Sequence, residues 1–150
     1  MTLYLVHHGE AVGPEVDPRR PLSLAGRMAV DALAKEAAQR GVRPDVVWHS
    51  GKLRTRQTAQ AFWRECNALA AFSATRDLQP DDPPGWIRDR LAGESRDVLI
   101  AGHFPLLPRL LALLTGEPEG SPGEFPPHGF VALASLDELR WKELWRLSSP

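Results

Sequence analysis

Leu3-Tyr4-Leu5-Val6-His7-His8-Gly9-Glu10-Ala11 is the stretch from which the fold of this chain follows. Four consecutive apolar residues mark a strand covered on both faces, as in a parallel sheet with helices above and below. The run stops at two imidazoles, a glycine and a carboxylate. In open α/β sheets the carboxyl ends of the strands are where ligands sit, and glycine lets the backbone turn and approach a ligand closely. Imidazole serves there as nucleophile, acid–base group or metal ligand. Adjacent strand residues point to opposite faces, so His7 and His8 are poorly aimed at one shared metal ion while strand geometry lasts. A neutral imidazole attacks phosphorus to form a phosphohistidine. That chemistry needs cations around the phosphoryl oxygens, and hence an arginine and a second histidine at later strand ends.

Outward from this stretch, Val12 to Pro21 is a loop with three prolines and Arg19-Arg20. Ser23 is an expected N-cap. Leu24, Met28, Ala29, Ala32, Leu33 and Ala37 follow at helical spacing, which predicts a helix to about Arg40 with Gly41 as its stop. Asp45 to Ser50 is a second short strand with a polar end, His49-Ser50. Lys52 to Cys66 lacks Gly and Pro and predicts a helix with Arg54 in its first turn. Phe72 to Thr75 is a short strand, Pro80 to Gly85 a turn-rich loop, and Trp86 to Leu91 a short helix. Asp97 to Ala101 is another buried-type strand, ending in Gly102-His103, and Leu106 to Thr115 a further helix. Glu117 to Pro127 is a Pro- and Gly-rich loop. Phe130 to Leu136 and Arg140 to Leu147 are two late strands, a hairpin through Asp137-Glu138. Alternating strands and helices predict an α/β sandwich around a largely parallel sheet, with one domain over residues 1–150.

Composition narrows the function classes. A net charge of −1 gives no sign of a nucleic-acid partner. The single Cys66 rules out an internal disulfide and suits a reducing, cytoplasmic compartment. Neither a bilayer-spanning run nor a basic, then apolar signal segment is present, so no membrane association is expected. Arginine supplies 15 of the 18 cations, and there are 14 prolines and one asparagine, a bias that a thermophile or a GC-rich genome would each produce.

Three strands thus end in reactive sequences: His7-His8-Gly9, His49-Ser50 followed by Arg54, and Gly102-His103. Here the chain resembles a known family. Leu-Val-His-His-Gly-Glu-Ala over 5–11 is similar to the Arg-His-Gly-Glu signature of the histidine phosphatase superfamily, with His7 in place of its arginine. Arg20-Pro21-Leu22-Ser23 with Gly26, Ser50-Gly51-Lys52-Leu53-Arg54-Thr55-Arg56-Gln57-Thr58-Ala59, and Leu99-Ile100-Ala101-Gly102-His103-Phe104-Pro105 resemble three further family segments, in family order over residues 3 to 110. The compact length most resembles the phosphohistidine phosphatases of the SixA type. The resemblance implies a phosphoglycerate mutase-like three-layer sandwich, with the mostly parallel sheet flanked by helices. It implies a phosphatase without cofactor or metal, acting on a phosphorylated protein or a small phosphorylated molecule.

By resemblance, His8 is the nucleophile, Arg54 the second arginine of the phosphate pocket, and His103 the second histidine at the phosphoryl group. His7, Arg20, Arg54 and His103 would bind the phosphate. At position 7 a permanent bidentate cation gives way to an imidazole. Two accounts follow: His7 faces the phosphate in arginine's stead, or the pocket has repacked around imidazole with Arg19, Arg20 or Arg56 supplying charge, Arg20 first among them. Asp81, beside Asp82 in the Pro80–Gly85 loop, is the candidate general acid, and Glu10 is expected to orient the pocket. SixA-type proteins resemble one another in lacking a clear acid, which fits a labile P–N bond better than an ester. A slow family member that binds phosphate or phosphoprotein is the alternative function. A metallohydrolase on His7, His8, His49 and His103 is disfavoured for want of a ligand motif.

Overall fold

The computed structural model of the chain describes residues 1–118 and 124–150, so the predicted loop at 117–127 lies partly outside the described residues. Six strands and four helices are described: β1 (Thr2–His7), α1 (Leu24–Gln39), β2 (Val46–His49), α2 (Leu53–Cys66), β3 (Ala71–Ala74), α3 (Pro84–Ala92), β4 (Val98–Gly102), α4 (Leu106–Leu114), β5 (Phe130–Ser135) and β6 (Trp141–Leu147). They form one sheet in the order β3-β2-β4-β1-β5-β6. The β3–β2, β2–β4 and β4–β1 pairs are parallel, whereas β1–β5 and β5–β6 are antiparallel. The fold is the mostly parallel α/β sandwich that the alternation of elements predicts. Its antiparallel edge is the expected late hairpin.

The apolar runs are continuous because both faces are covered. Alternation then sorts them. Tyr4, Val6, Val47, Leu99 and Ala101 pack with Val30, Leu33 and Ala37 of α1 and Ala59 and Phe62 of α2. Leu3, Leu5, Val46, Val98 and Ile100 pack on the other face with Ile87 and Leu91 of α3 and Leu106, Leu107 and Leu110 of α4. The same parity continues past the strand ends. It sends His8 and His103 toward the α1/α2 face and His7 toward the α3/α4 face.

Short-range devices fix the entry to the site. Ser23 caps α1, its hydroxyl accepting from the Gly26 N–H at 3.0 Å and donating to the Glu10 carboxylate at 2.8 Å. A Cβ on Gly26 would fall on the Glu10 carbonyl, so glycine permits α1 to seat against the turn after β1. The Val12 N–H donates to the Pro21 carbonyl at 2.9 Å, which closes the loop and returns Arg20 to the sheet edge.

Candidate active site

β1, β4 and β2 run parallel and end at one edge, and α2 begins there. His8 lies one residue past β1. Its backbone N–H donates to the Gly102 carbonyl at 3.1 Å. Its ring Nδ1–H donates to the Gly9 carbonyl at 2.7 Å, and a carbonyl only accepts, so the neutral ring keeps its lone pair on Nε2. Burial first, and then Arg54, His128 and Arg20, push the His8 pKa down to about 4, only partly opposed by the Gly9 bond. The ring is neutral at physiological pH, partly exposed, and carries a fixed lone pair.

His103, the residue after β4, is 1% exposed, with its ring centroid 5.4 Å from that of His8. A hydroxyl relay sets its tautomer. The Thr55 hydroxyl donates to the Lys52 carbonyl at 2.8 Å, so it accepts from Ser50 at 2.8 Å. With its proton spent, the Ser50 hydroxyl accepts from His103 Nε2–H at 2.7 Å. The lone pair of neutral His103 is therefore on Nδ1. Burial and, beyond it, His8, Arg54, Lys52 and Arg20 lower the His103 pKa to about 3. A phosphate dianion would oppose that cationic field and favour the doubly protonated ring as a donor.

Arg54, in the first turn of α2, carries a buried Nε–H with no partner among the described residues, and burial and Arg20 both lower its pKa. A buried guanidinium donor without an acceptor suits an anion that occupies the space in front of it. Arg20 stands in the left-handed region, φ 50°, anchored by its Nε–H to the Val12 carbonyl at 3.1 Å. Thr58, one helical turn after Arg54, accepts from the Gly9 N–H at 3.0 Å and donates to the Arg54 carbonyl at 2.8 Å. It joins the turn that carries His8 to the helix that carries the guanidinium.

His7 is placed differently. It is 7% exposed and its ring is sandwiched, parallel to Phe104 at 3.9 Å and to His128 at 4.7 Å between centroids. Its Nδ1 accepts the His128 backbone N–H at 2.7 Å. Burial, then His8, His128 and His103, lower its pKa to about 2. Position 7 is thus packed as a neutral aromatic residue. His49 turns back on its own chain, its Nδ1 accepting from the Gly51 N–H at 3.0 Å. Asp82 accepts from the Gln79 N–H at 2.9 Å in a local turn, and Asp81 is exposed. The side chains that lower the His8 and His103 pKa values are imidazoles and cations.

His128, just before β5, belongs to the cluster although nothing in the local pattern flagged it. Its ring Nδ1–H donates to the His8 carbonyl at 2.7 Å. The signal is topological: β5 is antiparallel to β1, so the start of β5 lies at the edge where β1 ends. One ring nitrogen each from His7, His8 and His128 lie within 4.8 Å of one another. They do not make a three-histidine metal site. The His7 Nδ1 lone pair is taken by a backbone N–H, so its Nε2 bears the proton in the neutral ring and has no lone pair to offer. The two adjacent histidines nevertheless come close, rings 4.5 Å apart, although they turn to opposite faces.

Among solved structures, the chain is similar to the protein histidine phosphatase SixA complexed with tungstate. The TM-score is 0.85 at 25% identity, over 99% of this chain and 97% of that one. A structure from Agrobacterium tumefaciens, assigned as a phosphohistidine phosphatase SixA, matches at TM-score 0.81 and 26% identity, over 98% and 97%. The chain shares the fold of these histidine phosphatases. An alpha-ribazole phosphatase from Shigella flexneri shares the fold at TM-score 0.76 and 18% identity, over 99% and 96%. No protein-family model and no curated protein matches the sequence. Relative to the superfamily motif, His8, Arg54 and His103 stand at one sheet edge, and the position of the motif's first arginine is filled by a stacked imidazole.

Proposed function

We propose that this histidine phosphatase removes a phosphoryl group from its substrate through a covalent intermediate on His8. Nε2 of His8 attacks phosphorus. The bond to the leaving group breaks with its electron pair, and water then hydrolyses phospho-His8 to phosphate and free imidazole. Arg54 and Arg20 neutralise charge on the phosphoryl oxygens, and His103, once its Nδ1 takes a proton from solvent as the dianion binds, donates to them. The observation that carries this reading is the His8 Nδ1–H bond to the Gly9 carbonyl, which fixes a neutral ring with its lone pair on Nε2 beside the unpartnered Arg54 Nε–H. The similar SixA structure is a tungstate complex, and tungstate is an oxyanion, which accords with an anion pocket here.

The substrate we favour is a phosphohistidine on a protein, ahead of a small phosphomonoester. An alkoxide leaving group needs a proton, and Asp81, the candidate acid, is exposed, while Asp82 serves a turn. A P–N bond is labile without such an acid. No helix among the described residues is long and apolar enough to cross a membrane. A cytoplasmic site of action accords with the lone, buried Cys66. The stacked His7 motivates a second reading, a slow member that binds phosphoprotein and turns over little. Brief exposure to a phosphohistidine peptide, followed by acid and by base quench, separates the two. Acid-labile, base-stable label on wild type and none on His8→Ala is expected. Acid-stable label, or full turnover by His8→Ala, counts decisively against the intermediate.

A further inference from the structure

Pro126-Pro127-His128-Gly129 is a tight turn, closed by the Gly129 N–H donating to the Pro126 carbonyl at 2.9 Å. His128 occupies its third position with φ of 54°. Turns with positive φ at that position favour glycine or asparagine, because a Cβ is crowded there. Backbone strain retained against an easy alternative marks a side chain with a task. The ring is also pinned. The backbone N–H of His128 donates to His7 Nδ1 at 2.7 Å, its Nδ1–H donates to the His8 carbonyl at 2.7 Å, and its face lies parallel to His7. His7 at the end of β1 and His8 just after it face the ring, and Glu10 shares a cavity of about 330 Å³ with it on the α1 side. With Nδ1–H committed, Nε2 is the nitrogen left for a ligand.

We propose that His128 binds the substrate's phosphoryl group, donating its Nε2–H to an equatorial oxygen while His8 attacks phosphorus. It thereby supplies a phosphoryl donor that His7, standing in place of the motif's first arginine, does not provide. The inference rests on the reading of His8 as nucleophile. Equatorial oxygens lie beside the attacking nitrogen, whereas the leaving atom lies in line beyond phosphorus. The His128 ring stands beside that of His8, 6.1 Å between centroids, a spacing that suits an equatorial oxygen and not the leaving atom. In this donor form both ring nitrogens carry protons, Nδ1–H to the His8 carbonyl and Nε2–H to the phosphoryl oxygen, the second proton being taken from solvent as the anion binds. Positions 7 and 128 thus act as a pair: His7 is the stacked support and backbone acceptor, and His128 is the donor.

His128→Gly is the variant that tests this, because glycine suits the turn and keeps the backbone N–H to His7. The unfolding temperature should hold or rise. By contrast kcat should fall about 100-fold, the usual cost of one missing oxyanion donor. The loss should be equal for p-nitrophenyl phosphate and phosphoramidate, free imidazole should restore part of it, and tungstate should bind more weakly. Unchanged kcat overturns the proposal. So does a loss graded by leaving group, which would make His128 a general acid. A loss with a lower unfolding temperature, unchanged tungstate affinity and no imidazole rescue makes His128 purely structural and equally overturns it. If wild type forms no phosphoenzyme, the nucleophile reading fails, and the tungstate comparison still decides whether His128 touches an oxyanion.

Discussion

His7 and His8 carry the same side chain one residue apart and have opposite surroundings. His8 turns to the α1/α2 face, gives its Nδ1–H to a carbonyl and keeps a lone pair on Nε2 beside a field of arginines. His7 turns to the α3/α4 face, receives a backbone N–H on Nδ1 and is closed between Phe104 and His128. The comparison teaches that the chemical part of an imidazole is set by which nitrogen its neighbours occupy. A carbonyl partner leaves a nucleophile, and an N–H partner leaves a ring with no nitrogen lone pair to spare. Burial lowers both pKa values, to about 4 for His8 and about 2 for His7, so neither ring is a cation at neutral pH.

The largest effect should come from His8, the proposed nucleophile. His8→Ala should lower kcat by about 10⁴-fold or more and abolish the acid-labile label, measured by steady-state kinetics and quench labelling. If the label survives in His8→Ala and disappears in His7→Ala, the two roles are reversed.

Next is the guanidinium. Arg54→Ala should cost about 10²–10³ in kcat. Stability should hold or rise, because a buried donor without a partner has been removed. Kinetics and thermal melts of one sample check both halves. A clear loss of stability would show that Arg54 is mainly structural.

His7→Arg sharpens the comparison from the other side. Forcing a guanidinium between Phe104 and His128 also removes the acceptor for the His128 N–H. Stability should fall by about 2 kcal/mol or more, and kcat/KM should fall with it. A rise in kcat/KM would place position 7 at the phosphate and erase the asymmetry.

The smallest effects are those of pH. His7 and His103 have folded pKa values of about 2 and about 3, below the 6.5 of an unperturbed imidazole. The unfolded chain therefore takes up protons first as pH falls. Stability from these two neutral rings is complete above pH 6.5 and is lost progressively below it, by at most about 1.4 kcal/mol per pH unit for each ring. Urea titrations from pH 7 to 4.5 should show this slope, and His7→Gln should reduce it. For the same reason the acid limb of kcat/KM due to His8 should lie near pH 4. A limb at pH 6.5 would mean that His8 is not desolvated.

Much of the fold was legible because burial on two faces writes itself as unbroken apolar runs. Leu3–Val6 and Val98–Ala101 carry that mark. The period-3.6 spacing from Leu24 to Ala37 gave α1, and Ser23 and Gly41 bounded it to within two residues. The polar residues after β1, β2 and β4 could be placed at one edge because parallel strands must all end on the same side. Asp81 in its turn and His49 at its strand end looked equally eligible, since exposure and ring orientation depend on neighbours far along the chain. His128 left no local signal at all. It reaches the site only because β5 runs antiparallel to β1 and brings residue 128 back to residue 8.

By itself, the sequence determined the layers, the strand ends and the set of side chains that could meet there, because periodicity and apolar runs are local consequences of burial. Only the tertiary structure decided which ring nitrogen each histidine leaves free. For His103, His7 and His128 that choice belongs to hydrogen bonds between residues distant in sequence, and His8 takes its own from the Gly9 carbonyl in the turn at the sheet edge. No local pattern encodes a tautomer, for it is fixed by whether the approaching partner donates or accepts.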